Sequence, residues 1–353
     1  MKIAIINDTH AGVRNSSDIF LDNAEDFYGN CFFPYLLRSG ISHIVHLGDF
    51  YDVRKFINFK VLNRTRSMFL DKLRENKITM DIIPGNHDTY FKNTNDLNSL
   101  KELLGHYMNE VHIVMEPTVM EYGSLKMALV PWINKENYES SVNFIKNCKA
   151  DILGGHLELQ GFDVLKGVPS HSGMDHRIFE RFEQVYSGHF HTKSKKDNIT
   201  YLGSQMEFTW SDAHDQKYFH VLDTESRELT AIPNDKTIFH RIKYDDTTED
   251  YSNFDFSIVD NKFVKIVVLN KSNLFTFDEF VDRIQSRPIH ELKIAEDFKE
   301  FSGENVEDGE IDVEETSTLL DSYVESVETD LDKNRLKISM RNLLTEAQAM
   351  EIA

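Results

Sequence analysis

Cysteine is nearly absent: Cys31 and Cys148 are the only two in 353 residues. They are too few and too far apart for a disulfide framework, and such usage fits a reducing compartment. Long apolar runs are missing too, none approaching the roughly 18 residues that a membrane-spanning helix needs. The opening Met1-Lys2-Ile3-Ala4-Ile5-Ile6-Asn7-Asp8 runs from a short apolar strand to a carboxylate, without a cleavable signal pattern. The expectation is a cytoplasmic protein. Positive charge is also scarce, with 39 Lys and Arg against 59 Asp and Glu and a formal charge of −20. This counts against a stand-alone nucleic-acid binder, because Lys and Arg supply most nonspecific affinity for phosphate. It leaves room for an enzyme whose bound metals and partner bring the positive charge.

What is present is a globular composition, 40% hydrophobic and 11% aromatic, in a chain long enough for about two domains. The acidity is concentrated. Between Glu296 and Asp332 there are 15 acidic side chains and one lysine, Lys299, a net −14. The tail from Lys333 onward is +2, so the first 295 residues carry only −8.

Short apolar runs alternate with helical patterns over the first two hundred residues, which predicts a layered α/β core with helices on both faces. Strands are expected at 2–7, 43–47, 78–83, 111–114, 118–121, 125–130, 151–154 and 184–187. Helices are expected near 18–38, 58–75, 95–106 and 136–147. Mostly antiparallel strands at 199–202, 217–222, 228–232 and 238–242 would close this domain, giving it the span 1–245. A small β-α-β capping domain over 246–298 follows, with strands at 263–269 and 290–294 and a helix near 277–286. An acidic linker occupies 299–316. In the tail, 317–353, Leu319, Leu320, Tyr323, Val324, Val327 and Leu331 recur at helical spacing.

Five strings stand at or just beyond the ends of these strands: Asp8-Thr9-His10, Gly48-Asp49, Gly85-Asn86-His87-Asp88, Gly155-His156 and Gly188-His189-Phe190-His191. Clefts in open α/β sheets lie outside the carboxyl ends of strands, so the five segments should converge. The pooled side chains Asp8, His10, Asp49, Asn86, His156, His189 and His191 mix hard oxygens with imidazoles. That set suits divalent Mn, Fe or Zn and lacks the thiolates of a structural zinc site. Seven ligands exceed one tetrahedral ion but suit two that share a bridging carboxylate. Such a pair clamps a phosphate and lowers the pKa of bridging water. His87 is the natural non-ligand, able to stabilise charge on the phosphate or protonate the leaving oxygen.

These strings resemble the signature D-x-H, G-D, G-N-H-D/E, G-H, G-H-x-H of the calcineurin-like metallophosphoesterase superfamily. Within it the chain is most similar to SbcD-type nuclease subunits and their T-even phage recombination-endonuclease relatives. Supporting strings are Gly48-Asp49-Phe50-Tyr51-Asp52-Val53-Arg54-Lys55, Val130-Pro131-Trp132 and Tyr201-Leu202-Gly203-Ser204. The likeness is good over residues 1–245. It implies a β-sandwich metallophosphoesterase core flanked by helices, with a small α+β capping domain and a helical tail. It also implies metal A on Asp8, His10, Asp49 and His191, and metal B on Asp49, Asn86, His156 and His189. His87 would act on the phosphate and manganese would be the metal. Further implied are a homodimer through nuclease-domain helices and an SbcC-like coiled-coil ATPase bound by the C-terminal helices. Archaeal and eukaryotic members carry histidine where Asp52 stands here.

Other residues have two readings. Arg54, Lys55, Lys60, Arg64 and Arg66 form either a solvated helix face or, for Arg54, Lys55 and Lys60, contacts to DNA phosphates. His171 and His176 lie in a polar loop that could touch substrate phosphate, His171 being the chosen contact. His46 reads as a packed core residue and Trp132 as packing beside the site. The stripe Leu319, Leu320, Tyr323, Val324 and Val327 reads as a docking face for a basic partner. The leading function is a two-metal DNA-end nuclease for recombination and repair. Alternatives are a phosphatase of the same superfamily, disfavoured because Asp52 is followed by Val53-Arg54 rather than Arg-Gly, and a metal-free scaffold, disfavoured because no ligand is missing.

Overall fold

A computed structural model describes residues 1–165, 168–170 and 172–296, together with 324, 333, 335–337, 339 and 340. In chain order the strands are β1 Lys2–Ile6, β2 His43–His46, β3 Thr79–Ile82, β4 Val111–Ile113, β5 Thr118–Tyr122 and β6 Leu125–Val130. Next come β7 Ile152–His156, β8 Asp163–Leu165, β9 Val168–Pro169, β10 Gln184–Gly188, β11 Ser194–Lys196 and β12 Ile199–Tyr201. The last are β13 Lys217–Asp223, β14 Leu229–Asn234, β15 Phe239–Asp245, β16 Phe263–Asn270 and β17 Glu291–Glu296. The main helices are α1 (18–38), α2 (59–76), α3 Ser99–Leu103, α4 Tyr138–Asn147 and α5 Leu274–Gln285.

Two six-stranded sheets form the body, ordered β14-β13-β1-β2-β3-β4 and β11-β12-β10-β7-β6-β5. Alternation along each strand decides what lies between them. Ile3, Ile5 and Val45 point inward and meet Met127, Leu129, Ile152 and Tyr186 of the other sheet. Ala4, Ile6 and Ile44 point the opposite way, onto α1 and α2. On the far face of the second sheet Ala128, Val130, Leu153 and Val185 pack with Ile145 of α4. Strands buried on both faces explain the continuous apolar runs of the sequence. The result is a mixed α/β sandwich flanked by helices, as expected.

Helix α1 contains Pro34, which has no N–H to return to a preceding carbonyl. The turn before it, Phe27–Phe32, widens to π geometry. The widened turn carries Phe27, Tyr28 and Phe32 into contact with Phe69 of α2 and Phe219 of β13. Helix α3 is shorter than its 95–106 pattern, because the Asn95 side chain reaches out to the Trp132 carbonyl and Asn98 caps the helix by accepting from Lys101 N–H.

The third sheet departs from expectation. Strand β15, expected to close the first domain with antiparallel partners, pairs in parallel with β16, which pairs in parallel with β17. The small unit is therefore β-β-α-β, with α5 packed on Ile242, Tyr244, Val264 and Ile266. Its other face meets the body: Phe239 and Phe263 lie 6.0 and 5.7 Å from Phe20, and Phe239 lies 4.9 Å from Trp210. Contacts of this density join it to the sandwich in one compact unit, Met1–Ser302. A second unit spans Gly303–Ala353, in which Val324 is helical and buried. Leu319, Leu320, Tyr323 and Val327 lie outside the described residues.

Candidate metal centre

β1, β2 and β3 of the first sheet run parallel, as do β7 and β10 of the second. The chain leaves each at its carboxyl end, and all five exits meet at one edge of the sandwich. β1 leads to Asp8 and His10, β2 to Asp49, and β3 to Asn86 and His87. β7 ends on His156, and β10 leads to His189 and His191. The structure brings all seven expected ligand-type side chains and His87 together.

Glycine makes this closeness possible. A Cβ on Gly48, whose φ is +91°, would lie 2.6 Å from His156 Nδ1 and 2.8 Å from Gly85 Cα. A Cβ on Gly85 would collide with the Asp49 carboxylate. The ligand-type residues have no such freedom, yet Asp8, His10, Asp49 and His189 have φ of 47°, 41°, 56° and 88°. Each such residue costs about 1–3 kcal/mol and persists only where its surroundings over-determine it.

Three groups of side chains that could hold a metal ion have donor atoms within 4.8 Å of one another: Asp8, His10 and His191; His10, Asp49 and His87; and Asp49, His156 and His189. His10 Nε2 lies 3.1 Å from His191 Nε2 and 3.8 Å from oxygens of Asp8 and Asp49. On the other side His156 Nε2 lies 3.2 Å from Asp49 Oδ2 and 2.9 Å from Asn86 Oδ1, with His189 Nδ1 3.0 Å from the same Asn86 oxygen. Asp49 thus belongs to both halves. Imidazole nitrogens, two carboxylates and an amide oxygen facing inward are a donor set that fits divalent cations.

A surrounding layer fixes which nitrogen of each ring faces inward. Leu47 carbonyl, which can only accept, lies 2.8 Å from His156 Nδ1, so that atom carries a hydrogen and Nε2 is the nitrogen turned toward Asp49 and Asn86. Asp52 serves two rings: its carboxylate lies 3.0 Å from His10 Nδ1, and its carbonyl accepts from His87 Nδ1 at 2.6 Å. The backbone N–H of His87 donates to Asp49 Oδ1 at 2.8 Å. Asn7 Nδ2 donates to Asp8 and to the Gly203 carbonyl, and the N–H of His189 donates to the Asp8 carboxylate. Behind His191, buried Lys217 donates to its carbonyl at 3.0 Å and is neutralised by Asp212 and Asp215.

Electrostatics sort the groups. Burial raises the Asp8 carboxyl, but His10, His156 and His191 outweigh it and hold the group well below the carboxylate range. Burial lowers His156, and Asp49 with Asp8 more than offsets that, leaving it at about 8. Burial pushes His189 to about 3 and His191 to about 4, so both rings are neutral donors.

Asp88, the last letter of its string, is not a ligand. Its buried carboxylate accepts the N–H groups of Phe50, Tyr51 and Gly85 and the hydroxyl of Ser99, tying the two metal-facing loops together. Burial, then Asp49, raises it to about 6. Phe208, which no motif marked, packs on the rings of His10 and His191 at 5.5 and 5.6 Å. Trp132 lies beside His189 at 5.3 Å and His156 at 5.9 Å. His46 is buried with Nε2 3.1 Å from the Thr9 hydroxyl.

The expected DNA contacts fare unequally. Arg54 and Lys55 line a cleft of about 190 Å³ between the Asp49 and His87 loops. Lys60 is held by Asp18 at 2.8 Å, and its neighbour Arg64 by Asp22 and Glu25, so these two serve a helix–helix ion cluster. His171 lies outside the described residues.

Fold and site together define a metal-dependent phosphoesterase, and the chain belongs to the calcineurin-like phosphoesterase family, whose model matches residues 1–193. It is 31% identical over 355 aligned positions to exonuclease subunit 1 of Enterobacteria phage T4, covering 98% of this chain and 99% of that protein. It is 24% identical over 264 positions to a subunit of the SbcCD nuclease of Staphylococcus epidermidis, covering 66% and 69%. A solved archaeal phosphodiesterase aligns at 16% identity over 66% of this chain and 100% of its own, with a TM-score of 0.35. No helix among the described residues is long and apolar enough to cross a membrane.

Proposed function

We propose that the protein is a two-metal DNA nuclease, hydrolysing phosphodiester bonds at DNA ends in the cytoplasm. The observation that carries this reading is the end-to-end likeness to an exonuclease subunit in a chain that keeps every ligand-type side chain and His87 at one edge. Asp8, His10, Asp49 and His191 would hold one ion, and Asp49, Asn86, His156 and His189 the other. The bound pair, most simply Mn²⁺, supplies a polarised phosphate and an ionised water.

The protein's own part is positional. Asp49 spans both halves and, through the His87 N–H, fixes where that imidazole starts. With His87 Nδ1–H donating to Asp52, the proton that moves is at Nε2, which delivers it to the departing oxygen. Asp52 and Leu47 keep His10 and His156 from rotating.

Two finer features belong to the same reading. Phe56 and Leu97 line the Arg54–Lys55 cleft and are exposed, an apolar surface suited to a second copy of the chain. Both curated relatives are named as subunits, and an SbcC-like ATPase on the C-terminal helices would be the counterpart here.

The test is Mn²⁺-dependent degradation of linear DNA by wild type and His87→Ala, with para-nitrophenyl phosphate in parallel. The expected loss in His87→Ala is roughly 10²–10⁴-fold. Turnover of the small ester with DNA left intact would instead identify a phosphatase.

A further inference from the structure

We propose that Arg14 binds a backbone phosphate of the polynucleotide next to the scissile diester. The proposal rests on the nuclease reading and names a residue that no motif contains.

Four residues beyond His10 the chain makes a left-handed turn. Arg14, Asn15 and Ser16 have φ of 57°, 54° and 63°, following Gly12 at 96°. Three successive non-glycine residues in this region are not a local preference, least of all for arginine. The turn is held from outside. Val13 N–H donates to the His10 carbonyl at 3.0 Å, Ser16 N–H to Gly12 at 2.8 Å, and Gly12 abuts Val61. The side chain is also held: Arg14 Nε donates to the Phe208 carbonyl at 3.0 Å. Phe208 is the residue whose ring walls His10 and His191. The guanidinium is therefore tethered, half-buried, to the wall of the centre.

No carboxylate pairs with it among the described residues, in a chain where acids outnumber bases. The contrast is close by. Lys60, Arg64 and Lys236 are all engaged by carboxylates of α1. Arg14 uses one nitrogen on a backbone carbonyl and keeps the paired Nη groups of its fork, the geometry that matches phosphate oxygens. A single small ester fills only the centre. A polynucleotide brings a second phosphate, and that is the ligand class Arg14 fits.

The experiment measures binding of fluorescently labelled linear DNA in EDTA by anisotropy across a salt series, alongside DNA and bis(para-nitrophenyl) phosphate hydrolysis with Mn²⁺. Wild type, Arg14→Gln, Arg14→Lys and Arg14→Gly are compared. The expected result for Arg14→Gln is a roughly tenfold or greater rise in Kd and a salt slope shallower by about 0.7–0.9, one phosphate contact. KM for DNA should rise while kcat holds, and Arg14→Lys should recover part of the loss. Glycine accepts the left-handed backbone, so Arg14→Gly should fold at least as well and bind DNA as poorly as Arg14→Gln. An unchanged salt slope with kcat falling equally on DNA and the small diester would overturn the proposal, making Arg14 a prop for Phe208. Wild type that cleaves the small diester but neither binds nor cuts DNA would remove the nuclease reading and Arg14's role with it.

Discussion

Among the described residues two clusters of histidine and aspartate in the sandwich differ in kind, and only one has side chains that could hold a metal ion. Away from the centre, Asp81 of β3 takes His43 Nε2 on one oxygen at 2.9 Å, His112 Nδ1 on the other at 2.9 Å, and the Tyr122 hydroxyl at 2.7 Å. Every acceptor there has a donor, and none of these residues has positive φ. At the centre the rings match only through one choice of tautomer, Nε2 facing Nε2 across 3.1 Å, and four of the side chains turned inward sit on strained backbone. A cluster that satisfies itself is a clamp between strands and sheets. A cluster of imidazoles and carboxylates converging on strained backbone has the donor set for a cation. Composition does not separate the two; convergence at the strand exits and backbone strain do.

The largest effect should come from removing one carboxylate from each cluster in turn. Asp49→Ala should lower phosphodiester hydrolysis by roughly a thousandfold, the several kcal/mol that metal-centred charge stabilisation supplies. It should also abolish the stabilisation by Mn²⁺, which in wild type is about 2.7 kcal/mol at a hundred times Kd. Asp81→Asn should instead destabilise by about 1–3 kcal/mol and retain both hydrolysis and the Mn²⁺-induced rise in Tm. Calorimetry with and without metal, beside the rate assay, reads all four quantities. If Asp81→Asn loses the metal response, the distinction between the clusters is wrong.

A smaller effect is expected one layer out. Asp52→Asn keeps the backbone carbonyl that holds His87 and removes the charge facing His10 Nδ1. Loss of such a partner costs roughly 10–100-fold in metal affinity or activity. Titration of Mn²⁺ against hydrolysis should show the required metal concentration rising more than the plateau rate falls. An equal fall at saturating metal would mean that Asp52 acts through His87 instead.

The ligand strings were legible because each is local: a strand pattern, a glycine, then the side chain at the exit. The layered fold was legible for the same reason, through the short apolar runs of β1, β6 and β7 set among helical patterns. What escaped depends on partners distant in sequence. Asp88 reads as part of its string until Phe50 and Tyr51 are seen donating to it from another loop. Lys60 reads as a free cation until α1 brings Asp18 against it. β15 has the same apolar pattern beside either sheet, and only pairing with β16, across a loop of residues 246–262, assigns it. Asp52 carried a signal, an aspartate where relatives of other lineages have histidine, but not its two targets. Phe208 and Arg14 carried none, since their roles come from a contact between residues 194 positions apart.

An effect on stability alone concerns a third buried acid, which completes the comparison. Glu207, next to Phe208 in the chain, has Oε2 accepting from Ile238 and Phe239, at the entry to the small sheet, while Oε1 is buried without a hydrogen-bond partner. Asp81, fully matched, stays below the ordinary carboxylate range although burial opposes it. Glu207, half matched, is pushed by burial from 4.5 to about 7, with Asp212 adding to the rise and Lys217 opposing it. An acid with a raised folded pKa binds its proton more tightly folded than unfolded. Its contribution to stability is therefore complete below pH about 4.5 and is lost as pH rises to about 7, a change of ~3 kcal/mol at most. Glu207→Gln keeps a carbonyl oxygen for the two N–H groups and cannot ionise. Urea unfolding at pH 5 and pH 8 should show the wild type losing stability between them and the variant losing less by up to that amount. Equal pH slopes in the two proteins would show that water or a rearranged donor already serves Oε1, and that matching at Glu207 is as complete as at Asp81.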